Sequence, residues 1–275
     1  MDLINKYIIE AVEKKNQTAI DDFEGYSPNQ MQYILYKTFD KKSTITINKV
    51  SDSVYNESPL FAQIKYLLNV IKDSGELLLT KKGFLPVKVV ASIYNQNFIK
   101  DPNVEDGIVK LYKEVDVNAI NITRILLELS PFVKKRNNKL SLTKKGNDAF
   151  FNTELLFNTF FEIFTQQFNW AYHDRYEDQE IGQMGFGFTL ILLNKYGNQF
   201  NPVEFYATKY LNAFHKQDYL EHNMLVDDLV DLYALRSFSR SLNYFGLIEV
   251  QKEFRRVKAV KKTKLFDKLI TITSP

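Results

Sequence analysis

The sequence predicts a mainly α-helical protein with small β-hairpins (α+β), and three observations carry that prediction. Apolar residues recur at three- and four-residue spacing along most of the chain, the signature of helices with one buried face. Helix-opening pairs such as Ser27-Pro28 and Ser58-Pro59 stand at the head of those runs. Ten glycines and seven prolines in 275 residues are too few for a chain of many tight hairpins.

Residues 1–22 place Leu3, Ile4, Tyr7, Ile8 and Val12 on one side of a first amphipathic helix. Ser27 caps a second helix, with Pro28 in its first turn and Gln30 completing a Ser-x-x-Gln capping box. Tyr26 and Met31 stand where a hydrophobic staple sits. Thr44–Ile47 alternates and is expected as a short strand or an extended crossing. Ser58-Pro59 opens a helix through Leu60, Ile64, Leu67, Leu68 and Ile71, and Gly75 closes it. Leu77–Leu79 is short and apolar, and Pro86 begins a helix carrying Val87, Val90 and Ile93.

Asp101-Pro102-Asn103 reads as a turn and as the first domain boundary. Ile108, Leu111 and Tyr112 suggest a helix, and Ile120–Leu129 another. Residues 132–136 and 139–142 read as a hairpin, because Asn137-Asn138 tolerates the positive φ of a two-residue turn. Thr143 would cap the following helix, with Phe150, Leu155, Leu156, Phe160 and Phe164 buried. The phenylalanine-rich stretch 150–170 reads as core or inter-domain contact rather than as a ligand pocket. Polar residues 172–180 mark a second boundary, so the expected domains are 1–101, 102–172 and 173–275. Beyond it, helices are expected at 188–196, 202–214 and 227–245, with Gly197 and Gly246 as stops. A strand at 247–250 follows, with return strands within 257–262 and 269–273.

Composition excludes several kinds of chemistry. There is no cysteine, so disulfides, thiolate nucleophiles and cysteine-based zinc or iron–sulfur sites are ruled out. The net charge of +3 is too small to argue for nucleic acid by itself, so the distribution of charge matters more than its sum. Met1–Lys6 lacks the basic-then-apolar pattern of a signal peptide, and no apolar run approaches the roughly 20 residues of a spanning helix. The expectation is a cytoplasmic protein with no membrane association. No Walker loop, dinucleotide fingerprint or nucleophile elbow occurs, and no cofactor is expected.

The five residues Leu-Thr-Lys-Lys-Gly occur twice, at Leu79–Gly83 and Leu142–Gly146. In the second copy Leu can anchor a strand, Thr can cap the next helix, and Gly permits close backbone packing. The order helix, helix, long helix, hairpin over residues 183–273 resembles the winged helix-turn-helix family. Residues 120–150 resemble its closing half, in which the last wing strand ends in Leu-Thr-x-x-Gly. Leu79–Gly83 repeats the five residues without a clear first wing strand. The N-terminal half also resembles a group of bacterial proteins with no established activity. They share a Ser-Pro-x-Gln-Met helix start (Ser27–Met31) and a Leu-Thr-x-x-Gly-x-Leu-Pro segment (Leu79–Pro86).

The resemblance implies tandem winged-helix-like units and a non-enzymatic nucleic-acid-binding or regulatory role, with double-stranded DNA as the partner. Arg236, Arg240 and Asn243 fall at i, i+4 and i+7 with Ser239 between them, and are expected to form an exposed polar helix face. Leu232, Leu235, Phe238 and Leu242 would cover the opposite face. Lys252, Arg255, Arg256, Lys258, Lys261, Lys262 and Lys264 follow as a basic cluster suited to phosphate. Lys134, Lys135, Arg136, Lys144 and Lys145 form a second one. The alternative is a solvated helix and a lysine-edged hairpin in a protein-interaction or self-associating scaffold without DNA affinity. A third reading, a metal-dependent enzyme, rests on His173, Asp174, Glu177, Asp178 and Glu180, which lack any recognised metal spacing. His215 and His222 are expected at the surface.

Overall fold

Two segments of the chain share one order of elements, and that order sets where every candidate residue lies. The structure is a computed structural model describing residues 2–174, 176, 180–214 and 226–275, side chains excepted at 2, 3, 173 and 226. The fold is mainly α-helical with small antiparallel sheets.

Helix α1 (Asp2–Gln17) leads to α2 (Pro28–Tyr36), which starts as its residues dictate. The Ser27 amide donates to Gln30 Oε1 at 2.9 Å, Ser27 Oγ accepts from the Gln30 amide, and Tyr26 and Met31 are buried. Strand β1 (Ile45–Ile47) and the short helix α3 (Asp52–Asn56) come next.

The first repeated segment runs α4 (Pro59–Ser74), β2 (Leu77–Leu78), α5 (Val87–Tyr94), a short α6 (Pro102–Glu105), α7 (Asn118–Leu129), β3 (Val133–Arg136) and β4 (Lys139–Leu142). Its sheet has the order β2-β4-β3. The β3–β4 turn is made by Asn137 and Asn138 at φ 49° and 60°, as the dipeptide predicts. Helix α8 (Lys144–Ala149) follows the hairpin, then α9 (Thr153–Glu162), which widens into a π-turn at Ile163–Gln167.

Apart from the short α6, which has no counterpart among the described residues, the second segment repeats the order: α10 (Phe186–Tyr196), β5 (Asn201–Pro202), α11 (Val203–Phe214), α12 (Val226–Tyr233), β6 (Ile248–Glu253) and β7 (Arg256–Lys262). Its sheet is β5-β7-β6, again with the last strand in the middle. Helix α13 (Lys264–Leu269) and strand β8 (Ile270–Ile272) complete the described chain, and β8 pairs with β1.

The two hairpins are anchored alike. Thr143 Oγ1 donates to the Pro131 carbonyl at 2.7 Å and accepts from the Gly146 amide, and its own amide donates to Phe132 O. Thr263 Oγ1 donates to Gly246 O at 2.8 Å and accepts from the Phe266 amide, and its amide donates to Leu247 O. Each threonine ties the end of a hairpin to the residues just before its first strand while capping the next helix.

The two Leu-Thr-Lys-Lys-Gly copies, by contrast, fold differently. At 142–146 they end a strand and start a helix. At 79–83 they form a turn in which the Gly83 amide donates to Thr80 O and Gly83 takes φ +81°. The expected helix around Ile108–Tyr112 is also absent. Gly107 at φ +71° ends α6, and the Asn103 carbonyl collects the amides of Ile108 and Val109. Asp116 Oδ2 accepts the amides of Tyr112 and Lys113, which removes donors a helix would need.

Helix α9 and its π-turn sit at the centre. Phe157 meets Tyr55 and Phe61 with ring centroids 5.0 and 5.2 Å apart, Phe160 meets Phe132, and Phe161 meets Phe245 at 4.8 Å. Phe164 packs on Trp170, whose indole donates to Phe164 O. Phe160 and Phe164 are buried as expected, whereas Leu155 is exposed. Residues from all three expected domains therefore meet on this helix, and the β1–β8 and β2–β4 pairings cross both expected boundaries.

Candidate nucleic-acid interface

Helix α12 continues from Ala234 to Leu242 as a π-helix, in which Asn243 N–H reaches the Phe238 carbonyl five residues back. That widening changes which side chains share a face. Arg236, expected on an exposed face, is corrected by the structure: it is 1% exposed. Its Nε and Nη2 donate to the two Asp174 carboxylate oxygens at 2.8 and 3.0 Å, and Nη1 donates to Ile181 O at 3.1 Å. A guanidinium held this way is a structural anchor and cannot reach a base edge.

Around it Ser237, Phe238, Ser241 and Leu242 are buried, while Leu235, expected inside, is partly exposed. Ser239, Arg240 and Asn243 are also partly exposed. Arg240 lies close enough to Tyr244 for its charge to act on the phenol, although burial dominates and pushes that phenol up to about 12. The first turn of α12 exposes Asp227 and Asp228, with Asp231 one turn on. The end of the helix that would enter a DNA groove is thus acidic.

The hairpin cations are spread over β6, β7 and the start of α13, and most have carboxylate partners. Arg255 Nη1 and Nη2 donate to Asn103 Oδ1 and Asp106 Oδ2, which straps the hairpin tip to α6. Arg256 pairs with Asp231, Lys261 with Glu249 at 2.9 Å, and Lys262 with Asp267 at 2.7 Å. Lys252, Lys258 and Lys264 make no salt bridge among the described residues. Ser239, Arg255 and Arg256 do come together, lining a cleft of 190 Å³ with Tyr176, Asp231 and Leu235.

In the first segment the corresponding helix, α7, is enclosed. Glu114, fully buried, accepts from the Leu85 amide at 2.6 Å, from Arg124 Nε at 2.7 Å and from Asn121. Its hairpin is open: Lys134, Lys135 and Arg136 are exposed, as are Lys144 and Lys145 on α8. Lys135 turns back to Glu128 at 3.1 Å. Lys81 and Lys82, given no role from the sequence, are carried to this hairpin because Leu79 N–H donates to Asn138 O at 2.9 Å. The Asn138 side chain also donates to Thr80 O at 2.5 Å. Their one sequence signal is the Lys-Lys pair common to both copies of the pentapeptide.

Of the residues suggested for metal or acid–base work, Asp174 is committed to Arg236. Glu177, Asp178, His215, His222 and the side chain of His173 lie outside the described residues. Among the described residues no cluster of three or more metal-binding side chains forms. No described helix is long and apolar enough to cross a membrane. No protein-family model, curated protein or solved structure matches the chain.

Proposed function

We propose that this is a non-enzymatic nucleic-acid-binding protein built from two winged-helix-like units, 59–142 and 186–262, that grips duplex backbone rather than reading bases. The observation that carries this reading is the order helix, strand, helix, helix, hairpin, which both units share once the short α6 is set aside, with the last strand central in both sheets. The matching Thr143 and Thr263 anchors support it further. A backbone mode fits the acidic exposed start of α12 and the internal use of Arg236, which leave little for base recognition. Lys252 and Lys258 on the hairpin of the second unit, and Lys264 just beyond it, make no salt bridge among the described residues.

Fluorescence anisotropy titrations of labelled duplexes of unrelated sequence, at several salt concentrations, test it. Similar affinities, with log K falling linearly as log salt rises, are expected. Absence of binding at low salt overturns the reading. If Arg240 reads a base instead, Arg240→Ala will cost about 1–3 kcal/mol on one sequence and little on others.

A second reading, a protein-interaction module, is favoured by one observation. Helix α1 exposes Ile4, Tyr7, Ile8 and Val12, each more than half accessible. Sedimentation equilibrium of the full chain would reveal self-association.

A further inference from the structure

We propose that the solvent-facing side of the first sheet, together with the 80–84 turn beside it, is the main phosphate-contact surface for duplex nucleic acid. The proposal deepens, and rests on, the nucleic-acid reading above. It assigns contact to a sheet face and a turn, because the helix before that hairpin is enclosed.

The register decides which cations face outward. Leu77, Leu140 and Lys135 share one row, and Leu78, Lys139 and Arg136 the next. Successive side chains on a strand alternate between faces. Leu77, Leu140 and Val133 are buried, so their face is the inner one, and Lys135 on that side reaches Glu128. The outer face carries Lys139, Arg136 and, two rows on, Lys134.

Arg136 stands directly opposite Lys139 across the strand pair, an arrangement of like charges that is destabilising. In the second hairpin the opposed positions are Glu249 with Lys261 and Glu253 with Arg256, so charge is balanced within the sheet. The first hairpin has no such internal compensation at its tip. Glu76 bonds Lys139 at 2.6 Å. Lys134 and Arg136 make no salt bridge among the described residues. The 80–84 turn, clamped by Asn138, adds exposed Lys81 and Lys82 beside the same tip. A phosphate row laid across this face would relieve the Arg136–Lys139 repulsion and meet cations from three adjoining segments.

Two double variants, Lys81→Ala with Lys82→Ala and Lys134→Ala with Arg136→Ala, test the site in the intact chain, with Lys268→Ala, a surface cation paired with Glu57 away from this sheet, as control. Anisotropy with a labelled duplex should show each double variant losing up to roughly two units of the log K against log salt slope. Lys268→Ala should keep the wild-type slope. Thermal melts should show the double variants folded, with the Arg136 variant at or above the wild-type midpoint. If wild type binds duplex and both double variants keep its affinity and slope, this site is wrong while the nucleic-acid reading stands. Failure of the wild type to bind duplex overturns both, and capture on anionic phospholipid vesicles in place of duplex does the same.

Discussion

Arg236 and Asp174 form a two-pronged ion pair sealed from solvent, the guanidinium 0% and the carboxylate 2% exposed. The pair ties the π-helical part of the long C-terminal helix to the segment entering the second repeated unit, and Ile181 O shares the guanidinium. Removing one member leaves the other charge buried, which costs about 3–5 kcal/mol in comparable pairs. Arg236→Ala and Asp174→Ala should each lower the urea-unfolding free energy by about that much. Arg236→Met keeps the packing but leaves the same Asp174 charge unpaired, so it should cost nearly as much as Arg236→Ala, and if it folds it should retain duplex affinity. A stable Arg236→Ala with lost affinity would return this residue to the binding surface.

The two threonine anchors should behave alike. Thr143→Ala and Thr263→Ala each remove a helix cap and a tie to the hairpin base, so each should cost about 1–2 kcal/mol in chemical denaturation. Gly146 is stricter, because a Cβ there would stand 2.1 Å from Phe132 O. Gly146→Ala should cost about 3 kcal/mol or fail to fold. Denaturation curves of Gly146→Ala superposing on wild type would contradict the close approach.

At the tip of the second hairpin, Phe254 has φ +45° and is 92% exposed. A bulky residue in the left-handed region is strained, whereas asparagine tolerates it. Phe254→Asn should raise stability by about 1 kcal/mol, read as a higher melting temperature. Arg255→Ala, by contrast, breaks a half-exposed pair with Asp106 and should shift stability by less than about 1 kcal/mol.

Glu24 gives a pH dependence. Burial pulls its carboxyl upward, but hydrogen bonds from Lys195, Lys209 and Tyr196 outweigh burial and hold it below the ordinary 4.5. A carboxyl lowered in the folded state contributes its full stabilisation above the unfolded value and loses it as pH falls through the folded one. Glu24→Gln should therefore be less stable than wild type at neutral pH, with the gap narrowing below about 4.5. Unfolding free energies measured from pH 7 to pH 3 check this, and a gap that does not change with pH would contradict it.

Local chemistry made much of the fold legible. The Ser27–Gln30 box, the Asn137-Asn138 turn and the Thr143 cap depend on neighbours within a few residues, and each forms as those neighbours dictate. The β6–β7 hairpin follows from its apolar pattern, although its tip residues Phe254 and Arg255 carry no turn signature. The candidate site was less legible. A helical wheel drawn at 3.6 residues per turn puts Arg236 beside Arg240, but the chain widens to a π-helix there and the wheel loses phase. Asp174, Asp106 and Asp231, which occupy three of the expected DNA-contacting arginines, are distant in sequence or sit on another element, so no spacing rule could pair them. Lys81 and Lys82 reach the first hairpin through Asn138, a tertiary contact of the same kind.

Among the described residues strand β1 pairs with β8 alone, and Tyr26 OH likewise donates to the Thr273 carbonyl 247 residues away. On the ribosome, the early segment must therefore wait with Ile45–Ile47 unpaired until Ile270–Ile272 has cleared the exit tunnel. The interior units can close from local contacts meanwhile, so assembly would proceed from the middle outward, with this two-stranded clasp as a late and slow step. Chaperone demand during synthesis should accordingly concentrate on residues near 45, long after they have been made.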